Sequence, residues 1–389
     1  MNGCMQNHKR NYVFLLALAL PIPCRALTIV TGPYLQNASE TSMTVMWITD
    51  VPCTSWVEYG TPGTLDQKAI HSRHGLIDAD QTIHRIPIEG LSPGKEYEYR
   101  VCSREILKFE AYKVTYGETI TGETHKFTTL SRDKQSISFL VLNDIHQRDD
   151  LITSLIKMSA SKPYDLVFLN GDILGHIEDE QQVIRHVLKP CSDLFAARIP
   201  FVWVRGNHET RGKFARMLPN YMAAPQGGYY YAFDHGPVHF IVMDGGEDKT
   251  DASSEYSGLV DFDRYRARQR VWLEKEIQTE ACRKAAFRVV LIHMPPIASE
   301  RWHGPTDLYN TWRPLFNAGK IDLMLSGHLH RYMVVEPEKG IRDYPMIIGG
   351  APQAGQATVI RVDAAPDKLE ITMTTDAGQV VGTYRVQRK

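Results

Sequence analysis

Residues 137–146 read ISFLVLNDIH, an apolar run from Ile137 to Leu142 that leads directly into Asp144 and His146. Continuous apolar runs of this kind predict strands that are buried on both faces. Helical periodicity lies between some of the runs, as in the segment Asp263–Ala281. We therefore predict an α/β domain over residues 131–389. Four later runs also end in a polar cluster: Leu166–Leu169, Phe201–Val204, Val289–Ile292 and Ile321–Leu325.

The composition of the whole chain limits the classes of protein to which it can belong. Its 389 residues are 43% hydrophobic and 23% charged, which is typical of a soluble globular protein with two domains. The formal net charge of −1 provides no bulk attraction to a nucleic acid duplex or an acidic membrane. The sequence does not indicate the oligomeric state.

Residues 1–26 have the pattern of a secretory signal peptide. Lys9 and Arg10 precede the apolar run Tyr12–Leu20, which is too short to span a bilayer, and no later segment approaches the ~20 apolar residues of a membrane helix. We therefore expect a secreted or periplasmic protein. Cys24 leaves a lipid anchor open as an alternative, although the preceding Pro23 fits such a site poorly.

Residues 27–130 show short β-forming segments separated by turn residues. This pattern predicts an all-β sandwich. The stretch from Leu91 to Tyr99 resembles the tyrosine corner of a fibronectin type III-like domain. On that resemblance Cys53 begins one strand and Cys102 ends its antiparallel neighbour, so we expect a disulfide between them in an oxidising compartment. The predicted β-forming segments of residues 27–130 are Met43–Ile48, Ser55–Tyr59, Thr82–Ile88 and Glu96–Val101.

The polar clusters that follow the five apolar runs contain side chains suited to metal binding. Ligands of open α/β sheets bind beyond the carboxyl ends of the strands, so these clusters are expected to meet. Carboxylates combined with imidazoles suit Mn²⁺, Fe or Zn²⁺, whereas Mg²⁺ and Ca²⁺ sites are nearly all oxygen. The candidate ligands outnumber what one four-coordinate ion needs, and two divalent ions that share a carboxylate would use them all. They are Asp144, His146, Asp172, Asn207, His293, His328 and His330.

In this order the clusters resemble the motifs of the calcineurin-like metallophosphoesterase superfamily, and the preceding sandwich makes the chain similar to purple acid phosphatases. The resemblance implies a dinuclear phosphoesterase in which a metal-bound hydroxide attacks a small phosphorylated substrate. It further implies that His208 contacts the phosphoryl group and that His208 and His303 are candidate general acids. One ion would take Asp144, His146 and His330, the other would take Asn207, His293 and His328, and Asp172 would bridge them.

One position departs from the purple acid phosphatase pattern. Those enzymes carry an Fe³⁺-binding tyrosine three residues after the bridging aspartate, where this chain has Gly175. We therefore expect two divalent ions, Mn, Zn or Fe, rather than a purple Fe³⁺ centre. Glu209 is expected to orient ligands, and Asp244 to be a turn residue near the site.

Two questions of function stay open at this point. The substrate can be a phosphomonoester or a phosphodiester, because the loops that shape the cleft are not readable from the sequence. An alternative from another class is a surface binding protein in which the metal site is only structural. Such a site would be closed and would not need His208 and His303 beyond the ligands.

Overall fold

The structure is a computed structural model that describes residues 26–388. The expected signal peptide, residues 1–26, therefore lies outside the described residues except for Ala26. Between residues 26 and 388, no helix is both long and apolar enough to cross a membrane.

The N-terminal domain is built from nine strands, as predicted for an all-β sandwich. The long strand β2 pairs with β1 and β6 through its first half and with β3 and β7 through its second half, so it joins both layers. Trp47 and Tyr99 are fully buried in the core between the layers. The strands are β1 (Ile29–Gln36), β2 (Ser42–Gly60), β3 (Gln67–Ala69), β4 (Ser72–Arg73), β5 (Leu76–Ile77), β6 (Gln81–Glu89), β7 (Glu96–Glu110), β8 (Lys113–Thr121) and β9 (His125–Thr128).

The expected disulfide between Cys53 and Cys102 is wrong. Cys53 lies opposite Glu105 in the register of β2 and β7, whereas Cys102 lies opposite Trp56. An offset of this size corresponds to about 10 Å along the strands, which exceeds the reach of a disulfide at about 7 Å. Both cysteines are buried free thiols. The tyrosine corner itself is present, because the backbone N–H of Ser92 donates to the Tyr97 hydroxyl at 2.9 Å.

The second domain contains two six-stranded sheets, which confirms the predicted α/β architecture. One sheet has the order β12-β11-β10-β19-β20-β21 and the other β13-β14-β15-β16-β18-β17. Phe139, Phe168 and Phe240 belong to the buried cluster between the two sheets. The strands are β10 (Ile137–Leu142), β11 (Leu166–Asn170), β12 (Phe201–Val204), β13 (Tyr231–His235), β14 (Val238–Met243), β15 (Phe287–Ile292), β16 (Leu323–Ser326), β17 (Met333–Val335), β18 (Met346–Ile348), β19 (Thr358–Ala365), β20 (Lys368–Thr375) and β21 (Val380–Gln387).

Helices cover the outer faces of both sheets. Leu151 and Leu155 of the first helix are buried against one sheet, and Leu273 and Phe316 of later helices belong to the cluster on the other. We number the helices α1 (Asp149–Ser159), α2 (the helical stretch 180–196), α3 (Phe262–Glu276), α4 (Glu280–Lys284), α5 (His303–Thr311) and α6 (Arg313–Ala318).

The two domains share a packed interface. Tyr34, Met46 and Ile48 of the sandwich belong to the same buried cluster as the helices beside β12. The Tyr99 hydroxyl donates to the carbonyl of Ala197 at 2.8 Å, and the Tyr34 hydroxyl donates to the carbonyl of Tyr221 at 3.1 Å. Apolar contacts and buried hydrogen bonds therefore hold the sandwich against the second domain.

Candidate metal centre

All five polar clusters meet at the carboxyl ends of the strands. Strands β10, β11 and β12 run parallel in one sheet and supply Asp144, His146, Asp172 and Asn207. Strands β15 and β16 run parallel in the other sheet and supply the remaining imidazoles. The site therefore spans the two sheets; the sequence predicted that the strand ends converge but not that they belong to two sheets. The imidazoles from the second sheet are His293, His328 and His330.

The side chains form two groups that share one carboxylate. Ligand atoms of Asp144, His146, Asp172 and His330 lie within 4.8 Å of one another, and so do those of Asp172, His293 and His328. Asn207 adjoins the second group, since its Oδ1 lies 3.1 Å from Nδ1 of His328. The residues that the resemblance assigned to each ion therefore lie close together, and their binding of two ions stays a prediction.

The backbone at this site is strained. Left-handed φ angles cost non-glycine residues on the order of 1–3 kcal/mol each and persist only where the surrounding structure enforces them. Here the loops hold one another, because Asp144 N–H donates to Gly171 O at 3.1 Å and His146 N–H donates to Asp172 O at 3.0 Å. The strained ligands, with φ between 48° and 72°, are Asp144, His146, Asp172, His328 and His330.

Glycines in the motifs allow these loops to approach closely. A Cβ at Gly171 would lie 2.5 Å from the ring of His293, and one at Gly206 would lie 2.3 Å from Asp172 Oδ1. A Cβ at Gly327 would likewise lie 2.4 Å from Asp144 Oδ2. Each glycine therefore makes room for a ligand from a neighbouring strand end.

Two asparagines orient ligands, and the sequence reasoning did not identify them. The Asn143 side chain donates to Asp144 Oδ2 at 2.6 Å. The backbone carbonyl of Asn170 accepts the Nδ1–H of His293 at 2.9 Å, which directs Nε2 of His293 towards Asp172. Both residues directly precede a motif, but their sequence position does not reveal which ligand they contact.

Glu209 has the supporting position that was expected. Its carboxylate is fully buried and accepts hydrogen bonds from the backbone N–H groups of Asp172 at 2.9 Å, Gly206 at 2.8 Å and Leu174 at 3.0 Å. Burial and the nearby charge of Asp172 raise the pKa of Glu209 to about 7. Glu209 thus joins two of the ligand-bearing loops, and both its oxygens are engaged.

The electrostatics of the site favour a bound cation. Asp144 and Asp172 are 0% and 1% exposed, and within residues 26–388 their ion-pair partners are all imidazoles. Burial would raise the pKa of Asp172, but the imidazoles of His293 and His208 outweigh it and lower that pKa far below its usual value. The two carboxylates, against the effect of burial, raise the pKa of His293 to about 10. Buried carboxylates of this kind require compensating positive charge.

Unpartnered nitrogen atoms support the same conclusion. Nε2 of His293 and Nε2 of His328 are buried, and neither makes a hydrogen bond within the described part of the chain. Nε2 of His293 lies 3.0 Å from Asp172 Oδ2, but without the alignment of a hydrogen bond. Imidazole nitrogens and carboxylate oxygens that converge in this way fit a divalent metal pair, which would replace the proton held by His293.

His208 borders the metal centre without belonging to either ligand group. Its Nδ1–H donates to the carbonyl of Gly175 at 2.7 Å, and its Nε2 lies 3.8 Å from Asp172 Oδ2. A Cβ at Gly175 would lie 3.9 Å from Nδ1 of His146. His146 therefore occupies the neighbourhood that a tyrosine at position 175 would enter.

Within the described residues, the side chain of His303 bonds a neighbouring helix. His303 begins α5, and its Nε2 lies 2.7 Å from Asp263 Oδ1 on α3. The preceding residue, Trp302, is the one that reaches the site, with its ring 5.0 Å from the ring of His328. The direction of a side chain at a helix start depends on tertiary packing, which sequence spacing does not reveal.

Asp244 does not belong to either ligand group. Its carboxylate is buried and pairs with Arg205 at 2.7 Å, and it also accepts a hydrogen bond from Tyr265. It is thus a structural residue of the turn after β14, as expected.

Comparison with known proteins identifies both domains. Residues 137–332 match the sequence profile of the calcineurin-like phosphoesterase family, and residues 31–129 match that of the purple acid phosphatase N-terminal domain. The fold is similar to that of a purple acid phosphatase from yellow lupin seeds, with a TM-score of 0.69 at 16% identity over 92% of this chain and 74% of the lupin chain.

Curated relatives are acid and purple acid phosphatases. Human acid phosphatase type 7 is 25% identical over 66% of this chain and 57% of the human protein. Purple acid phosphatase 18 of Arabidopsis thaliana is 23% identical over 81% of this chain and 68% of the plant protein. The match thus spans little more than half of the human relative. The chain belongs to the calcineurin-like phosphoesterase family, with a purple acid phosphatase N-terminal domain preceding the phosphoesterase domain.

Proposed function

We propose that this chain hydrolyses small phosphate esters at a dinuclear metal centre. The observation that carries the proposal is the pair of ligand groups that share the buried carboxylate of Asp172. A structural site would not need His208 at its border, whereas a hydrolytic site uses such a group to hold substrate.

The bound ions and His208 would have separate roles in the reaction. Two divalent ions held there would supply Lewis-acid stabilisation of phosphoryl oxygens and a nucleophile from water at neutral pH. We assign the His208 ring, fixed by its bond to Gly175, to contact the phosphoryl group and, with a proton on Nε2, to protonate the leaving group. We assign no such role to His303, whose Nε2 is bonded to Asp263.

The metals proposed are divalent Mn, Zn or Fe. Mixed carboxylate, imidazole and amide ligands suit these ions. The absence of a tyrosine at Gly175, with His146 beside it, supports a divalent pair over a purple Fe³⁺ centre.

The proposal is tested with the purified full chain. Bound metals are counted by mass spectrometry, and turnover of p-nitrophenyl phosphate and bis-p-nitrophenyl phosphate is measured with added Mn²⁺ or Zn²⁺. We expect two ions per chain and turnover of at least one substrate. Fewer than two ions together with no turnover under any metal would refute the proposal.

Two variants separate the assigned roles. His208→Ala should retain both metals but lose turnover by about 10²- to 10⁴-fold, because it removes a proton-transfer group that is not part of either ligand group. Asp172→Ala should lose metal occupancy, because both ligand groups use that carboxylate. Equal loss of metal in the two variants would contradict the roles.

Export from the cytoplasm is a separate proposal. It is supported by the signal-like pattern of Lys9, Arg10 and the apolar run Tyr12–Leu20. Fractionation of expressing cells, followed by N-terminal sequencing of the mature protein, tests it. A cytoplasmic protein with an intact N-terminus would overturn it.

A further inference from the structure

We propose that Arg211 binds the substrate phosphoryl group beside His208 and selects phosphomonoesters over phosphodiesters. This inference rests on the proposed function, since it names the substrate class of the same site.

Arg211 lies at the border of the metal centre. Its Nη1 is 3.2 Å from Nε2 of His208, which in turn is 3.8 Å from Oδ2 of the shared ligand Asp172. The Arg211 side chain is 27% exposed, so its charge can be reached from solvent. A cation therefore stands beside the residue that is placed to contact the phosphoryl group.

A buried carboxylate fixes the orientation of the Arg211 guanidinium. Its Nε donates to Glu247 Oε1 at 2.8 Å and its Nη2 donates to Glu247 Oε2 at 2.9 Å. Glu247 is fully buried and also accepts from Thr210 Oγ1 and the Tyr256 hydroxyl, each at 2.8 Å. The guanidinium is thus held in one position before any substrate arrives, which reduces the entropy lost on binding.

The hydrogen-bond inventory of Arg211 leaves a donor for a ligand. A guanidinium carries five N–H groups. Nε and Nη2 face Glu247 and Asp248, and one hydrogen of Nη1 faces His208. Within residues 26–388 the second hydrogen of Nη1 has no partner, and it belongs to the atom that contacts His208.

Arg205, which precedes Gly206 in the same motif, is not available in the same way. Arg205 pairs with Asp244 at 2.7 Å and lies under the ring of Tyr229, 4.1 Å from the ring centroid. Burial lowers its pKa, but the charge of Asp244 outweighs this and raises the pKa above its usual range. Arg205 therefore supports the turn, whereas Arg211 keeps a free donor beside His208.

Charge explains the selectivity for monoesters. A phosphomonoester dianion has one more ionised oxygen than a diester, and arginine binds such oxygens through short charge-assisted hydrogen bonds. In a diester that oxygen is esterified and carries a substituent instead of charge. Loss of a hydrogen bond to a charged group should lower kcat/KM for the monoester roughly 10- to 100-fold and kcat/KM for the diester much less.

The test compares Arg211→Gln with Arg216→Gln, which removes the same charge from an exposed arginine that bonds the carbonyl of Leu259. For Arg211→Gln we expect kcat/KM for p-nitrophenyl phosphate to fall 10- to 100-fold and that for bis-p-nitrophenyl phosphate to fall less than about 3-fold. The dissociation constant of inorganic phosphate, measured by calorimetry, should rise at least about 10-fold, with metal content unchanged. Arg216→Gln should leave all these values near those of the wild type.

Equal losses for the two substrates, or unchanged phosphate binding, would overturn the inference. If Arg211→Gln is unstable because Glu247 is left unpaired, the double variant Arg211→Gln/Glu247→Gln removes both charges. It should show the same selective loss, and a wild-type monoester preference in it would also overturn the inference. A wild-type chain that binds fewer than two ions and turns over neither ester under any metal would refute the proposed function instead, while phosphate binding would still test Arg211.

Discussion

Replacing Glu209 by glutamine tests how the ligand loops are held. The substitution keeps the shape of the side chain but replaces one carboxylate oxygen by an amide donor. Oε2 accepts from the N–H groups of both Asp172 and Gly206, whereas Oε1 accepts only from Leu174. The amide of the variant should therefore turn towards Leu174, where two donors would face each other.

The size of the effect follows from this single lost hydrogen bond. An unsatisfied buried donor costs about 1–3 kcal/mol. A change of 1.4 kcal/mol is a factor of ten in affinity. If the lost hydrogen bond makes the ligand loops harder to order when metal binds, the metal dissociation constant should rise roughly 5- to 150-fold. Losses of about 10- to 100-fold are usual when a partner that orients metal ligands is removed. Glu209→Ala, which leaves all three donors without a partner, should lose more.

The assay is competition for Zn²⁺ between metal-free protein and a chromophoric chelator. The matched control is Glu274→Gln, the same change on a half-exposed glutamate of α3 that pairs with Arg270. We expect weaker metal binding only in Glu209→Gln. Wild-type affinity in Glu209→Gln, or an equal loss in the control, would refute this account of the loops.

Three further predictions concern backbone space, pH and the thiols. Gly171→Ala should lower stability and metal content, because its Cβ would lie 2.5 Å from the His293 ring. The control Gly340→Ala has the same φ of 82° but lies in open space, so it should lose only the backbone strain of about 1–3 kcal/mol. Equal shifts in melting temperature for the two variants would contradict this. Burial would lower the pKa of His239, but Asp234 and Glu276 raise it to about 11. The stabilisation from protonated His239 is therefore complete below pH 6.5 and is lost as the pH rises towards 11, by up to about 1.4 kcal/mol per pH unit. His239→Gln should therefore flatten the fall of the unfolding free energy between pH 6.5 and 9, and an unchanged slope would contradict the assignment. Alkylation of the unfolded, unreduced protein should label Cys53 and Cys102, and a mass showing a bond between them would contradict the register of β2 and β7.

The parts of the fold that the sequence predicted are those set by local pattern. Strands Ile137–Leu142 and Phe201–Val204 were predicted with the bounds observed, because continuous apolar runs mark strands buried on both faces. The convergence of the ligand clusters followed from the rule that sites form at the carboxyl ends of parallel strands.

The parts that the sequence did not predict depend on register and on contacts between distant loops. Strands β2 and β7 are longer than their apolar segments, and Cys53 and Cys102 are three positions out of register. The orientation of His303 depends on Asp263, which is 40 positions earlier in the chain. The bond between Arg211 and Glu247 likewise joins two loops 36 positions apart. No spacing within one segment contains such information.

The most direct test of the dinuclear centre is anomalous X-ray diffraction from crystals grown with saturating Mn²⁺ or Zn²⁺. The account predicts two anomalous peaks about 3.5–4 Å apart, with the carboxylate of Asp172 between them. One peak should adjoin His146 and His330, and the other should adjoin His293 and His328. A single peak, or two peaks that do not share Asp172, would contradict the central claim.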